Sequence, residues 1–158
     1  MTHRLIIGLA AAGSAVLLLG AWGFQYIGGL PPCAMCIWQR YPHAAAVLVA
    51  GLAYVLPWRL WLLVGAAAAA TTAGIGLFHT GVERGWWEGP STCTAGSVSG
   101  LSPEDLMAQI MSAPLVRCDD VVWSMFGLSM ASWNALLSTV LVVLWIWAFV
   151  AAPRQHAH

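Results

Sequence analysis

The sequence predicts an all-α integral membrane protein: a four-helix bundle with a long periplasmic loop that contains a short helix. Three observations carry this. The 158 residues are 60% apolar and only 8% charged, against roughly 25% charged in soluble chains. No residue is Lys, so a water-facing surface cannot be built and membrane lipid must cover much of the chain. Four stretches are long enough to cross a bilayer, which takes roughly 20 residues.

The first span covers about 5–26. It has a short basic start, His3 and Arg4, and its apolar run exceeds the roughly 7–15 residues of a signal-peptide core, so it reads as a retained span. The second covers about 41–58 and the third 60–78. Pro57, Trp58 and Arg59 mark a tight turn where they meet, which makes them antiparallel neighbours. The Ala66–Ala70 run in the third span suits close helix packing. The fourth covers about 129–150. Trp22, Trp58, Trp61, Trp145 and Trp147 lie toward span ends, where amphipathic rings favour the membrane interface. The chain reads as a single membrane domain, 1–158, with loops at about 27–40 and 79–128.

The long loop is not uniform. Gly89–Thr92 and Gly96–Gly100 are turn-rich. Ser102 then reads as a helix cap, with Pro103 at the first position and Glu104 and Asp105 in the first turn. Leu106, Met107, Ile110 and Met111 follow at helical spacing. This is either an amphipathic helix on the membrane surface or an ordinary packed loop helix.

Four spans place both termini and the 57–59 turn on one side. Cys33, Cys36, Cys93 and Cys118 all fall on the other. The arginine distribution favours cytoplasmic termini only slightly. The cysteines decide more: paired thiols belong in an oxidising compartment, which for a bacterial inner membrane is the periplasm. Zero net charge and the lack of a basic run exclude a nucleic-acid binder.

Cys33-Ala-Met-Cys36 is a C-x-x-C that follows Pro31-Pro32 and enters a helical stretch. A helix N-terminus stabilises a thiolate, the reactive form. Arg40 lies four residues after Cys36, on the same helical face, where its charge is expected to lower the Cys36 pKa. Redox, structural-disulfide and metal readings all fit this spacing. Zinc wants four ligands, and soft thiolates with Met35 also suit copper. Cys93 and Cys118 fit a structural disulfide that ties down the loop, or an exchangeable pair. Arg40 also fits a residue that snorkels to the headgroups. His79 and His43 read first as interfacial residues, and haem lacks a second histidine pair. Glu83 and Glu88, the only acids near the third span, fit a general acid or base but read first as solvated loop acids. No Ser-His-Asp set, phosphate loop or His/Glu metal motif stands out.

Three ordered segments resemble the disulfide bond formation protein B (DsbB) family. They are Pro32-Cys33-Ala-Met-Cys36-Ile-Trp-Gln-Arg40, the run from His79 to Cys93, and the run from Arg117 through Cys118 to Asn134. The resemblance spans about residues 5–150. It implies a protein-thiol:quinone oxidoreductase that reoxidises a periplasmic thioredoxin-like DsbA partner. Cys93 would form the mixed disulfide with that partner. Cys118 would pair with Cys93 at rest and exchange with Cys33. Cys36 would lie beside the quinone, ubiquinone or menaquinone, with Arg40 and His79 lining its site and no metal required. Gln39 stands where relatives carry Glu, which is expected to remove a counter-charge from Arg40. The competing expectation is a membrane scaffold with two structural disulfides.

Overall fold

The computed structural model describes residues 2–56, 58–91, 93–94, 102–112 and 116–153. In chain order they form α1 (His3–Tyr26), α2 (Ala34–Val55), α3 (Leu60–Glu83), α4 (Pro103–Ser112), β1 (Ser124–Met125), β2 (Leu128–Ser129) and α5 (Met130–Ala151). The four long helices make a bundle. α3 packs most extensively on α5 and α2, and α1 closes the ring against both.

α1, α3 and α5 are each long and apolar enough to cross a membrane. α2 has 22 residues, but Gln39, Arg40 and His43 interrupt its apolar run, and it does not qualify by composition. Gln39 and His43 are buried in the bundle. That is where polar groups in a membrane helix belong. The expected four spans are therefore three by composition, with α2 supported by its length and packing. Val16, Leu48, Leu77 and Val143, one from each long helix, are exposed. They belong to an apolar outer surface suited to lipid.

Lipid tails are as apolar as leucine, so close packing, rather than escape from water, must hold such helices together. The core gathers Ile6, Ile7, Ala10, Val49, Leu62, Ala66, Leu141, Trp145 and Ala148. At Gly65 an added Cβ would stand 2.6 Å from the Trp145 ring, so only glycine lets α3 and α5 approach this closely. Trp145 is fully buried and thus belongs to the core rather than to the interfacial belt. Trp22, Trp58 and Trp147 are exposed, as a belt requires. Within the alanine run, Ala66 and Ala69 are buried whereas Ala67 and Ala70 face outward. Arg59 donates from Nη2 to Phe149 O at 2.8 Å and lies 4.4 Å from that ring's centroid, tying the α2–α3 turn to the end of α5. Pro57, in the same turn, lies outside the described residues.

Two helices overrun the expected span limits on the cysteine side. α2 starts at Ala34 because Cys33 caps it, its sulfur accepting from Cys36 N at 3.3 Å. α3 continues to Glu83 and stops just before Gly85, whose φ of +66° is left-handed. The C-x-x-C therefore forms the first turn of a helix rather than part of a loop.

The expected loop helix is α4. Ser102 Oγ accepts from Asp105 N at 3.1 Å and donates to Asp105 Oδ2 at 2.8 Å. Met107 and Met111 are exposed. Residues 96–100 of the turn-rich segment lie outside the described residues. The β1–β2 hairpin was not anticipated. Its two-residue turn, Phe126-Gly127, has positive φ at both positions, 52° and 75°. That is the backbone of the tightest hairpin turns, which usually carry Asn-Gly or Asp-Gly. Phe-Gly disguises the signal. The hairpin delivers Ser129 to the start of α5, where its hydroxyl accepts from Ser132 N at 3.2 Å.

Candidate redox centre

All four cysteines meet at one end of the bundle. Cys33, Met35, Val82, Cys93 and Cys118 form one buried cluster, with Cys36, Ala34 and Val116 packed against it. Cys93 and Cys118 are joined in a disulfide, their Cα atoms 5.3 Å apart. Cys118 N donates to Cys93 O at 2.6 Å and closes the two strands of the loop. Cys33 and Cys36 form a dithiol, with sulfurs 3.0 Å apart. Only one of the two pairs is closed.

The acidic thiol is Cys33, and the expectation for Cys36 is corrected. The Cys33 thiol is lowered to about 4, from an ordinary 9.0, chiefly by the hydrogen bond it accepts from Cys36. Burial opposes this, and a hydrogen bond from His79 adds to it. Cys33 is the cap, so the helix N–H groups face its sulfur. Arg40 does sit one turn beyond Cys36, but its guanidinium turns toward α1. Nη1 donates to Gln25 Oε1 at 2.5 Å and Nη2 to Ala21 O at 3.3 Å. Its Nε is buried without a partner among the described residues.

His79 is not an interfacial residue. It is buried between the cysteine pairs, with Nε2 3.7 Å from Cys33 Sγ and 3.1 Å from Cys118 O. Its ring nitrogen lies within 4.8 Å of the Cys33 and Cys36 sulfurs. Gln39 Nε2 lies 3.0 Å from the other ring nitrogen, Nδ1. Gln39 therefore faces α3 and α5 and does not bear on Arg40's charge, contrary to expectation. Its Oε1 accepts from Asn134 Nδ2 at 2.7 Å. Asn134 Oδ1 in turn accepts from His43 Nε2 at 2.9 Å.

Glu83 is no solvated loop acid. As the last residue of α3 its side chain is only 7% exposed, 3.9 Å from His79 Nε2, and it accepts a hydrogen bond from Ser129. Glu88 is exposed, as expected. Beside Cys118, Arg117 grips Asp119 through Nε at 3.0 Å and Nη2 at 2.5 Å, which holds the Asp119 carboxyl below its usual range. A cleft lined by Val82, Trp86, Trp87, Glu88, Thr94 and Asp119 opens next to the disulfide.

Sequence reasoning missed Gln39 as a partner of His79, missed Asn134 as a site residue, and ranked the acid–base reading of Glu83 second. A usable signal existed. His79 and Glu83 are four apart, as are Gln39 and His43, and Asn134 and Ser138, and polar residues at helical spacing in apolar spans point inward. Cys33, Cys36 and His79 also bring three donor atoms within 4.8 Å. That is one short of the four a closed zinc site uses.

A membrane-embedded helical bundle that packs a disulfide and an acidic dithiol into one buried cluster defines a class, the membrane thiol–disulfide oxidoreductases. Comparison with known proteins agrees. The profile of the family described as Disulfide bond formation protein DsbB matches residues 3–148. A Disulfide bond formation protein B of Verminephrobacter eiseniae is 32% identical, covering 99% of this chain and 93% of its own. Proteins of the same name from Acidovorax sp. and Shewanella frigidimarina are 29% and 31% identical, covering 96% and 97% of this chain and 90% and 94% of their own. No solved structure gives a significant match. The chain belongs to the DsbB family.

Proposed function

We propose that this protein is an inner-membrane protein-thiol:quinone oxidoreductase that reoxidises a periplasmic, thioredoxin-like dithiol partner of the DsbA kind. All four long helices cross the membrane in this reading, with the termini cytoplasmic and the cysteines periplasmic. The observation that carries it is the shared buried cluster, in which one pair is a disulfide, the other a dithiol, and His79 bridges them.

Each step is an exchange of one sulfur–sulfur bond for another. A partner thiolate attacks Cys93, forming a mixed disulfide and releasing Cys118. The partner's second thiolate then frees Cys93 and leaves with its own disulfide closed. Cys118 next attacks Cys33 of an oxidised Cys33–Cys36 pair, and Cys36 departs as the thiolate. Cys93 attacks Cys118, re-forming Cys93–Cys118 and releasing Cys33 as the thiolate. Two electrons have moved from the partner to Cys33–Cys36. The arrangement seen here, a Cys93–Cys118 disulfide beside a Cys33–Cys36 dithiol, matches the product of that transfer.

The residues near Cys36 fit a quinone. Arg40 has a buried Nε–H with no partner among the described residues, and leaving such a charged donor unsatisfied is costly. Arg40 and the half-buried Cys36 would hold the quinone, which takes up two electrons and two protons as Cys33–Cys36 closes. His79 serves the thiols in this account.

The test is turnover. Purified protein with a ubiquinone or menaquinone analogue oxidises a reduced thioredoxin-fold partner, and Cys36→Ser stops quinone reduction. Undiminished turnover in that variant contradicts the reading. One observation favours the scaffold alternative: Cys93 and Cys118 are fully buried, as a structural disulfide would be. A graded redox buffer separates the two, because catalytic disulfides reduce at higher potential than structural ones.

A further inference from the structure

The buried hydrogen bonds behind the thiols have a direction that two backbone carbonyls set. Carbonyl oxygens only accept. Met35 O lies 3.0 Å from one terminal atom of the Gln39 amide, so that atom must be the nitrogen. Thr72 O, 3.3 Å from the Asn134 amide, fixes Asn134 Nδ2 in the same way. Asn134 Nδ2 then donates to Gln39 Oε1 at 2.7 Å. Gln39 Nε2 spends its second hydrogen on His79 Nδ1 at 3.0 Å. With Nδ1 accepting, the hydrogen of neutral His79 sits on Nε2, the nitrogen that faces Cys33 Sγ and Cys118 O. The far end agrees: His43 Nε2 donates to Asn134 Oδ1 at 2.9 Å, and its Nδ1 has no partner among the described residues. Every bond in the chain points from the bundle interior toward the thiols.

We propose that Gln39, held by Asn134, is a positioning residue that locks His79 with its hydrogen on Nε2 and its Nδ1 bare, aimed at the sulfur that leaves during exchange. This rests on the reading of Cys33 as an exchanging thiol. An amide N–H can offer a hydrogen to Nδ1 but cannot take one from it. Protonating Nδ1 would set two hydrogens against each other, so Gln39 resists formation of the imidazolium. Cys33, on release as thiolate, then meets the Nε2–H of a neutral ring, Gln39 opposing the pull toward imidazolium that the Cys33 thiolate and Glu83 exert at 3.7 and 3.9 Å. A Glu at this position would accept from Nδ1–H and favour the imidazolium. The groups that titrate around His79 are Cys33 and Cys36 from α2 and Glu83 from α3 itself. Among the described residues the cap of α5 adds the Ser129 hydroxyl, which is bonded to Glu83, and the Cys93–Cys118 disulfide does not titrate.

Nitrogen-15 NMR of histidine-labelled protein in nanodiscs tests this without quinone or partner. At neutral pH wild-type His79 is expected to show a bare Nδ1 and a protonated Nε2. In Gln39→Glu both nitrogens are expected to carry hydrogen. Cys33 alkylation against pH is the second readout. Gln39→Met is expected to add a titration step absent from wild type, as Nδ1 becomes free to protonate. Asn134→Ala, which releases the Gln39 amide, is expected to add the same step and covers any failure of the first variants to fold. A protonated Nδ1 in wild type, or variants whose spectra and profiles match wild type, would overturn the proposal. A wild-type protein that passes these tests but does not turn over would fail the oxidase reading alone.

Discussion

His79 Nε2 stands 3.7 Å from Cys33 Sγ and 3.1 Å from the carbonyl of Cys118, so one imidazole touches both redox pairs. Cys33 comes from the cap of α2 and Cys118 from the long loop, and His79 on α3 is where they meet. The consequences for reactivity follow from that junction and from the cap.

Cys33 is expected to remain a thiolate far below the ordinary thiol range. Its folded-state value is lowered to about 4 from 9.0. A depressed acid favours the folded form above its unfolded value, and this contribution is lost as pH falls through the folded value. The relevant window therefore runs from about 9 down to about 4. Alkylation of Cys33 by a small reagent, followed by mass spectrometry, should stay fast to about pH 5 and drop below about 4. A midpoint near 9 would contradict the assignment.

Arg40→Met should weaken quinone use and spare the thiol partner. Losing one hydrogen bond from a charged donor costs about 1.5–3 kcal/mol. The KM for a soluble quinone analogue is therefore expected to rise about tenfold or more, with the partner's KM unchanged. Equal loss toward both substrates would point to damage of α1 through the broken Gln25 contact.

Gly65→Leu should destabilise the bundle without touching the chemistry. Its Cβ would collide with the Trp145 ring, and overpacking of this kind costs about 1–3 kcal/mol. Thermal unfolding in detergent should fall, while the surviving folded fraction keeps its acidic Cys33. An unchanged unfolding temperature would mean that α3 and α5 separate easily here.

Burial of the Cys93–Cys118 disulfide predicts selective access. A small diffusing thiol should reduce it more slowly than an exposed disulfide, and the proposed function adds that a thioredoxin-fold partner, by docking there, reduces it faster than that thiol at equal thiolate concentration. Timed thiol trapping measures both rates. Faster reduction by the small thiol would remove the case for a dedicated partner.

Much of this architecture is legible in the sequence. Hydropathy marks α1, α3 and α5, the 57–59 turn sets α2 off from α3, and the Ser102-Pro103-Glu104-Asp105 sequence marks α4 because capping chemistry is local. The even span count placed all four cysteines together. What stayed hidden is what depends on rotation about a helix axis. Arg40 shares a helical face with Cys36, yet its long side chain swings to Gln25. Gln39, one residue earlier, points to the opposite side and finds His79. Spacing cannot choose between an outward Trp147 and an inward Trp145 without knowing that Gly65 makes room for the ring. Phe126-Gly127 concealed a hairpin because the usual residues of its turn are absent.

The central claim is that the two pairs exchange within one cluster. Its most direct test is mass spectrometry under non-reducing conditions on a Cys36→Ser, Cys93→Ser double variant, which leaves Cys33 and Cys118 alone. The account predicts a Cys33–Cys118 disulfide, formed on mild oxidation and lost with reductant, because both residues lie in that cluster and against His79. Two free thiols after oxidation, with the variant folded, would contradict it.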